Sequence, residues 1–231
     1  MKGLLEIEYE WVLSALGSQE NILNAEFSRL KKTPSSEIKT ALRVTKRRVA
    51  LWSALCDFSG IWELNDVTNM LTQFADLACQ LALKVALETE LSRGNIPGLE
   101  SDHSPEKTGM FVLAMGKMGA HELNYSSDID LICFFDETQF LEEKYFDARK
   151  GFIRATRLMS SILSDLTEDG YVFRTDLRLR PDPSVNPVCI ATETAERYYE
   201  SLGRTWERAA YIKARVVAGD TKAGINFLHS L

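Results

Sequence analysis

The feature that most restricts the fold is an acidic pair at the start of a short apolar run. The run extends from Ile129 to Phe135 and includes Asp130, with Asp128 just before it. An earlier run, from Phe111 to Met115, ends at Gly116, and both have the length and bounding residues of buried strands. Carboxylates inside such a strand are costly to bury unless cations or hydrogen bonds compensate them. The pattern therefore predicts a functional acidic site at one end of a sheet.

The spacing of the acidic pair indicates a metal site. Residues i and i+2 of a strand share one face, so Asp128 and Asp130 would lie about 7 Å apart by their Cα atoms. Ile129 and Leu131 would then face the core. Two carboxylates on one face suit Mg²⁺, which takes oxygen ligands and keeps substrate phosphates as partners. The alternative for this pattern is a solvated turn or an edge strand.

A third carboxylate follows in the string YVFRTDLRLRP. Here Asp176, Arg178 and Arg180 alternate with Leu177 and Leu179, which predicts a strand with one charged and one apolar face. We expect Asp176 to join the acidic pair around the metal ions. The arginines would follow on the same face, where their planar forks match phosphate oxygens. The alternative is that the arginines mark only a solvated face.

A glycine turn and paired hydroxyls lie between the two apolar runs. Gly116 and Gly119 allow the backbone to pass close to a ligand, and amides at such a turn can bind phosphate oxygens. Lys117 adds a positive charge. Ser126 and Ser127 either donate hydrogen bonds to phosphate or cap the strand. Without a ligand, the glycines would form only a tight turn.

Three strings in order, GKMGAHELNYSSDIDL, FRTDLRLRPDP and ERYYESLGRTWERAAYIKARVVAGD, carry a family resemblance. Together they resemble one catalytic half of the glutamine synthetase adenylyltransferase/adenylyl-removing enzymes, within the DNA polymerase beta-like nucleotidyltransferase superfamily. The resemblance covers about residues 110 to 220. It implies an α+β fold, with a mixed sheet flanked by helices and an N-terminal helical region. The WERAA and IKAR strings resemble the amino-terminal, adenylyl-removing half more than the other half.

The activity implied by this resemblance is phosphorolysis of an adenylylated tyrosine of glutamine synthetase. Orthophosphate attacks the α-phosphorus, ADP leaves, and the phenol is regenerated. Mg²⁺ is the expected cofactor, with Lys117, Arg178 and Arg180 offsetting the repulsion between anions. One alternative is the reverse half, which transfers AMP from ATP to the same tyrosine. A different class is a non-catalytic regulatory module that binds nucleotide or the PII signalling protein.

Composition narrows the class of partner. The formal charge of −6 and the pI near 5.3 lack the basic footprint of a protein that binds nucleic acid. The cysteines are widely separated, which is typical of reduced, buried thiols. The apolar stretch from Leu77 to Leu87 contains Gln80 and Lys84 and is too short to span a bilayer. We therefore expect a soluble, cytoplasmic protein without a secretion signal.

Residues 1–93 are predicted to be a helical region, 94–108 a linker or loop that includes Ser101 and Asp102, and 109–231 the catalytic domain, truncated at its C-terminus. The predicted helices run from Glu20 to Lys32, Glu37 to Trp62, Val67 to Leu91, Glu142 to Asp169, and Glu193 to Leu202. A further short strand is predicted from Val188 to Ala191. The apolar stripes that should face the core include Phe58, Phe146 and Leu166.

Two clusters leave alternatives open. Arg43, Lys46, Arg47 and Arg48 form either a solvated helix face or a contact to an acidic partner or to phosphates. Near the end of the chain, a helix from Arg204 to about Lys213 would bury Trp206 against the sheet and bring Arg208 or Lys213 toward the nucleotide, or leave the cations exposed. Tyr198 and Tyr199 are expected to pack in the core rather than to stack on adenine.

Overall fold

The computed structural model describes residue 6 and residues 8–16, 22–100 and 103–231. Its fold is α+β, as the sequence predicts. In the described part of the chain, the helices before the sheet are α1 Tyr9–Leu16, α2 Ile22–Lys31, α3 Ile38–Phe58 and α4 Leu64–Ser92. The elements that follow are β1 Met110–Ala114, α5 Gly116–Gly119, β2 Ile129–Phe135, α6 Glu142–Ser164, β3 Thr175–Asp176, β4 Cys189–Ala191, α7 Thr192–Ser201, α8 Thr205–Ala210, β5 Arg215–Gly219 and α9 Thr221–Ser230.

The described strands form one mixed sheet in the order β3, β2, β1, β5. Strand β1 is antiparallel to both β2 and β5. Strand β2 is parallel to β3 at its start and parallel to β4 at its end. The predicted strands β1, β2 and β4 are confirmed to within a residue at their ends. Strand β5 was not predicted.

The two faces of the sheet belong to two apolar clusters. Val112, Leu131 and Cys133 face α4 and α6 and join the larger cluster, which also contains residues of α2 and α3. Phe111 and Phe134 alternate with them and face α7 and α9 on the other side. This alternation follows from the period of two along a strand. The expectation of buried, free thiols is confirmed for the cysteines, which are Cys56, Cys79, Cys133 and Cys189.

The basic cluster on α3 matches neither of its predicted roles. Arg43 is only 1% exposed and donates to the backbone oxygens of Ile162 (3.1 Å), Asp165 (2.5 Å) and Gly170 (2.7 Å). Its neighbours on the helix pair with carboxylates: Arg47 with Glu8 and Asp169, and Arg48 with Glu8 and Glu26. The cluster therefore joins α3 to the end of α6 and the loop that follows it.

Several predicted boundaries are wrong in detail. Helix α3 ends at Phe58 rather than Trp62, because the chain turns at Gly60 with a positive φ of 70°. Helix α6 ends at Ser164 rather than Asp169, because Asp165 takes an extended conformation and residues 167 and 170 close a tight bridge. The apolar residues expected to face the core but exposed instead are Phe58, Phe146 and Leu166, at 77%, 64% and 80%. Glu20, Ser101 and Asp102 lie outside the described residues.

The segment 94–108 connects the helical region to β1 and contains a 3₁₀ turn at Pro105–Lys107. Ile96 in this segment is 1% exposed and belongs to the same apolar cluster as Leu83 of α4 and Phe152 of α6. The division of the chain into domains stays a prediction. Helix α4 is long and apolar enough to cross a membrane, but 61% of its most apolar window is buried inside the fold, as in a core helix.

Candidate active site

The acidic residues predicted from the sequence lie where β2 and β3 begin. The two strands pair in parallel, with Ile129 opposite Thr175 and Asp130 opposite Asp176. Ile129 is fully buried, and the hydroxyl of Thr175 lies 2.6 Å from the hydroxyl of Ser160 on α6. Since side chains alternate along a strand, Asp130 and Asp176 point to the opposite face from α6. The structure therefore brings Asp130 and Asp176 together.

Within the described part of the chain, no cationic side chain is hydrogen-bonded to Asp130, and the pKa of its carboxyl is raised. Burial raises the pKa of this carboxyl, and the negative charges of Asp176 and Asp128 raise it further. The positive charges of Arg178 and Lys117 act in the opposite direction. Asp128 and Asp176 are thus each close enough to Asp130 to repel its negative charge. A cation placed among them would relieve this repulsion.

The two flanking carboxylates each carry an arginine. Arg178 donates to both oxygens of Asp176, at 3.0 Å from Nε and 2.6 Å from Nη2, and this pairing lowers the pKa of Asp176. Arg174 donates from Nε to Asp128 and from Nη2 to the carbonyl oxygen of Ser126 at 3.1 Å. The sequence analysis missed Arg174. Extending the alternation in FRTDLRLRP by one step toward the N-terminus would have found it, because Arg174 has the same parity as Asp176.

The carboxylates fit a divalent cation by their chemistry but do not form a closed cage. Among the described residues, no three His, Cys, Asp or Glu side chains converge on one point as a metal-binding group. In this arrangement Asp128 and Asp176 turn toward Arg174 and Arg178, and the expectation that Asp128, Asp130 and Asp176 together hold metal ions stays a prediction. Hard oxygen donors are nevertheless the ligands that Mg²⁺ prefers.

The predicted glycine turn lies directly against Asp130. Gly116 has a positive φ of 54°, and a Cβ added there would lie 2.7 Å from Oδ2 of Asp130. At Gly119, an added Cβ would lie only 2.0 Å from the carbonyl oxygen of Lys213. Both glycines are thus required by close approach, one to the acidic site and one to the segment before β5. Lys117 is exposed between them.

The paired serines form a local turn before β2. The hydroxyl of Ser127 donates to Oδ1 of Asn124 at 2.8 Å, and the backbone N–H of Ser126 donates to the same oxygen at 3.1 Å. Ser126 also offers its carbonyl oxygen to Arg174. These bonds fix the backbone that enters the strand at Asp128.

With this geometry in place, comparison with known proteins identifies the family. Residues 11–230 match the model of the glutamate-ammonia ligase adenylyltransferase family. The chain belongs to that family. It is 48% identical over 199 residues to a bifunctional glutamine synthetase adenylyltransferase/adenylyl-removing enzyme of Bradyrhizobium sp. strain BTAi1, which covers 86% of this chain and 20% of the relative. The enzyme of the same name from Agrobacterium fabrum is 45% identical over 196 residues, covering 85% of this chain and 20% of the relative.

The chain spans about a fifth of the length of these relatives. A third relative with the same name, from Bradyrhizobium diazoefficiens, is 47% identical over 221 residues, covering 96% of this chain and 22% of its own length. The family resemblance read from the sequence is therefore confirmed. The names describe two opposed activities, and they do not say which of them this fifth of the family protein carries.

Arg180 is not on a charged strand face as predicted. Strand β3 ends at Asp176, because Oδ1 of Asp176 accepts a hydrogen bond from the backbone N–H of Arg178 at 2.8 Å and turns the chain. The guanidinium of Arg180 then donates to the carbonyl oxygens of Leu177 (2.7 Å), Pro183 (3.0 Å) and Asn186 (3.2 Å). It holds its own loop together, and this geometry does not bring it to the carboxylates.

The cluster predicted near the end of the chain, around Trp206, Arg208 and Lys213, differs from its expected arrangement. Trp206 is 56% exposed, so the prediction that it is buried against the sheet is wrong. Arg208 donates to the carbonyl oxygen of Tyr199, at the end of α7, and does not face the carboxylates. Lys213 lies beside the glycine turn but forms an exposed ion pair with Glu122 at 3.0 Å. Tyr199 packs as expected and is 5% exposed.

Proposed function

We propose that this chain is a nucleotidyl-transfer unit that removes AMP from an adenylylated tyrosine of glutamine synthetase. Orthophosphate would attack the α-phosphorus, and the products would be ADP and the free phenol. One observation carries the proposal. Asp130 and Asp176 stand opposite each other on paired strands, with Asp128 within electrostatic range, directly beside the Gly116 turn.

The residues present suit a reaction between two anions. Lys117 and Arg178 supply positive charge on the side of Asp130. Arginine forks match phosphate oxygens, so Arg178 can orient an incoming phosphate group. Asp128, Asp130 and Asp176 would hold Mg²⁺, which when bound neutralises phosphate charge and stabilises the leaving phenolate oxygen. Magnesium dependence is part of the proposal.

The direction of the reaction rests on the WERAA motif. In the structure its glutamate, Glu207, is 9% exposed and accepts hydrogen bonds from the hydroxyl of Tyr198 (2.9 Å) and the backbone N–H of Arg204 (2.8 Å). The motif therefore has a defined place beside α7. We assign the removal direction because these strings resemble the adenylyl-removing half. The alternative is transfer of AMP from ATP to the same tyrosine, since the relatives' names include both activities.

The test compares two reactions with the same purified chain and Mg²⁺. One contains adenylylated glutamine synthetase and orthophosphate, and the other contains unmodified glutamine synthetase and ATP. Formation of ADP in the first, together with loss of the adenylyl group, supports removal. Adenylylation in the second assigns the opposite direction. Asp128→Asn should abolish turnover in either case, and full activity of that variant would overturn the assignment of the site.

A third outcome would indicate a regulatory module. If neither reaction proceeds, binding of ATP, ADP and the PII signalling protein is measured by calorimetry with the same sample. Tight binding of a nucleotide or of PII without turnover would favour the non-catalytic alternative. The PII protein is a proposed partner, and its binding surface is not assigned to any residues.

A further inference from the structure

We infer that Arg174 is a positioning residue whose guanidinium competes with the divalent cation for Asp128 and, once displaced, binds the phosphate group of the substrate. The inference rests on the proposed function, because it concerns the same carboxylates. It adds a residue that neither the sequence analysis nor the family name assigns.

The contacts of Arg174 support an exchangeable role. Its guanidinium forms an ion pair with Asp128 and one hydrogen bond to the carbonyl oxygen of Ser126. The side chains of Arg174 and Asp128 are 56% and 51% exposed. Exposed ion pairs contribute little to stability, since water screens both charges and competes for both groups. A divalent cation can therefore replace this guanidinium at low cost.

Asp176 is held much more firmly than Asp128. Its side chain is 20% exposed, and it accepts the fork of Arg178 as well as the backbone N–H of Arg178 at 2.8 Å. Among the residues that the structure describes, Asp130 has no cation bonded to it, and the cation bonded to Asp128 is Arg174. Among the three carboxylates, Asp128 is thus the one whose counter-ion exchanges most readily.

The surroundings of Arg174 restrict where it can go after release. On the side of α3 lies Lys46, whose Nζ donates to the carbonyl oxygen of Tyr171 at 3.2 Å and lies 4.2 Å from the centre of the Tyr171 ring. Burial lowers the pKa of Lys46 to about 8, and the charges of Arg174 and Arg43 add to the shift. Two like charges disfavour movement of Arg174 toward α3. The guanidinium therefore stays near the carboxylates, where an anionic phosphate would arrive.

The experiment measures binding without catalysis. The 231-residue chain is titrated with MgCl₂ alone, and then with orthophosphate at saturating Mg²⁺, by calorimetry. For Arg174→Ala we expect the Kd for Mg²⁺ to fall about two- to fivefold, because the competing guanidinium is removed. This factor corresponds to the interaction energy of an exposed ion pair. The Kd for orthophosphate should rise at least about threefold, because a charge-assisted hydrogen bond is lost. A general loosening of the structure would raise both Kd values. Changes of opposite sign therefore distinguish the proposed role of Arg174 from a loss of structure.

Two further variants complete the test. Arg174→Lys keeps the charge but loses the planar fork, so both effects should be smaller than for alanine. Arg197→Ala removes a matched exposed arginine, paired with Glu193 on α7 at the opposite end of β2 from Asp130, and should change neither Kd. A spectroscopic readout is the NMR signal of the Arg174 Nε–H group, which should shift when MgCl₂ is added to the wild-type chain.

The outcomes separate this inference from the proposed function. If the wild-type chain binds Mg²⁺ and loses it with Asp130→Asn, but Arg174→Ala leaves the Kd for Mg²⁺ unchanged or raises it, the inference is overturned while the metal site stands. An unchanged Kd for orthophosphate would overturn the second half of the inference. If neither the wild type nor Arg174→Ala binds Mg²⁺, both proposals fail together.

Discussion

Arginine does two different jobs in this protein, at the α3 junction and at the carboxylate site. Arg43 is buried and bonded to the carbonyl oxygens of Ile162, Asp165 and Gly170, which cannot move without breaking the fold. Arg174 and Arg178 are exposed and bonded to carboxylates at the end of the sheet. At the α3 junction, the buried arginine takes the place of water as the hydrogen-bond donor to the carbonyl oxygens. At the carboxylate site, solvent or a ligand can replace the arginine.

We expect burial, rather than the number of hydrogen bonds, to separate a structural arginine from one that can bind a ligand. Arg180 tests this reading. It donates to backbone carbonyls as Arg43 does, and burial lowers its pKa. By this criterion Arg180 belongs with the structural group, although its place in FRTDLRLRP suggested the opposite.

The largest expected effect comes from removing Arg43. Arg43→Ala should lower the free energy of unfolding by about 3 to 5 kcal/mol, because buried carbonyl oxygens lose their donor. The matched variant Arg178→Ala should lower this free energy by only a small fraction of that amount, since the side chain is 84% exposed and water screens its pair with Asp176. Denaturation followed by circular dichroism measures both. Similar midpoint losses in the two variants would break the comparison.

Asp130→Asn should separate activity from stability. We expect the turnover to fall about 100- to 1000-fold, since a charged group at the reacting phosphate is lost. Without divalent ions the variant should unfold at the same or a higher temperature, because the repulsion from Asp128 and Asp176 is relieved. Calorimetric scans check the second point. The exposed Asp147 of α6, changed to Asn, serves as the control and should alter neither property.

Gly119→Ala should disturb the wall of the site by steric overlap. The new Cβ would meet the carbonyl oxygen of Lys213 at 2.0 Å, and relieving this overlap should cost about 2 kcal/mol. Gly60 is the matched control. It has a positive φ of 70° and open space around it, so Gly60→Ala should cost about 1 kcal/mol from backbone strain alone. Thermal melts that ranked Gly60 above Gly119 would contradict the packing account.

The smallest expected effect concerns Lys46. Burial lowers its folded-state pKa from 10.5 to about 8, so the fold disfavours the charged form. The unfolded chain therefore binds more protons between these values, and the wild type should gain stability relative to Lys46→Met as pH rises from 8 to 10. The gain should be about 1 kcal/mol after discounting for partial exposure. Urea titrations across this range measure it, with the exposed Lys150→Met as control. If the difference in unfolding free energy between the wild type and Lys46→Met did not change with pH, Lys46 would behave like an exposed cation.

The sequence predicted the elements that depend on local periodicity. The strands around Val112 and Leu131 follow from short, nearly continuous apolar runs, and the long helices α3, α4 and α6 follow from apolar repeats of 3.6 residues. The acidic residues were also found, because Asp130 interrupts an apolar run, Asp128 directly precedes that run, and Asp176 alternates with leucines. Carboxylates within an apolar pattern are visible without knowledge of the tertiary structure.

What the sequence could not predict depends on contacts between distant segments. The guanidinium of Arg43 donates to backbone oxygens more than a hundred residues away in the sequence, at Ile162, Asp165 and Gly170. The end of β3 was missed because the Asp176 side chain bonds to the backbone N–H of Arg178 in place of a neighbouring strand. Strand β5 is short, and its pairing with β1 includes a bulge, so its alternation is broken.

The loop between α6 and β3 connects helix α3 of the N-terminal region to the strand that contains Asp176. Its backbone oxygens at Gly170 and Tyr171 are bonded to Arg43 and Lys46, and only a few residues farther on the chain reaches Asp176. A misplacement of about 1 Å can cost a catalytic site roughly 100-fold in rate. Under the proposed function, a ligand or protein that tilted α3 would displace the third carboxylate, Asp176, and would change the rate without contacting the substrate.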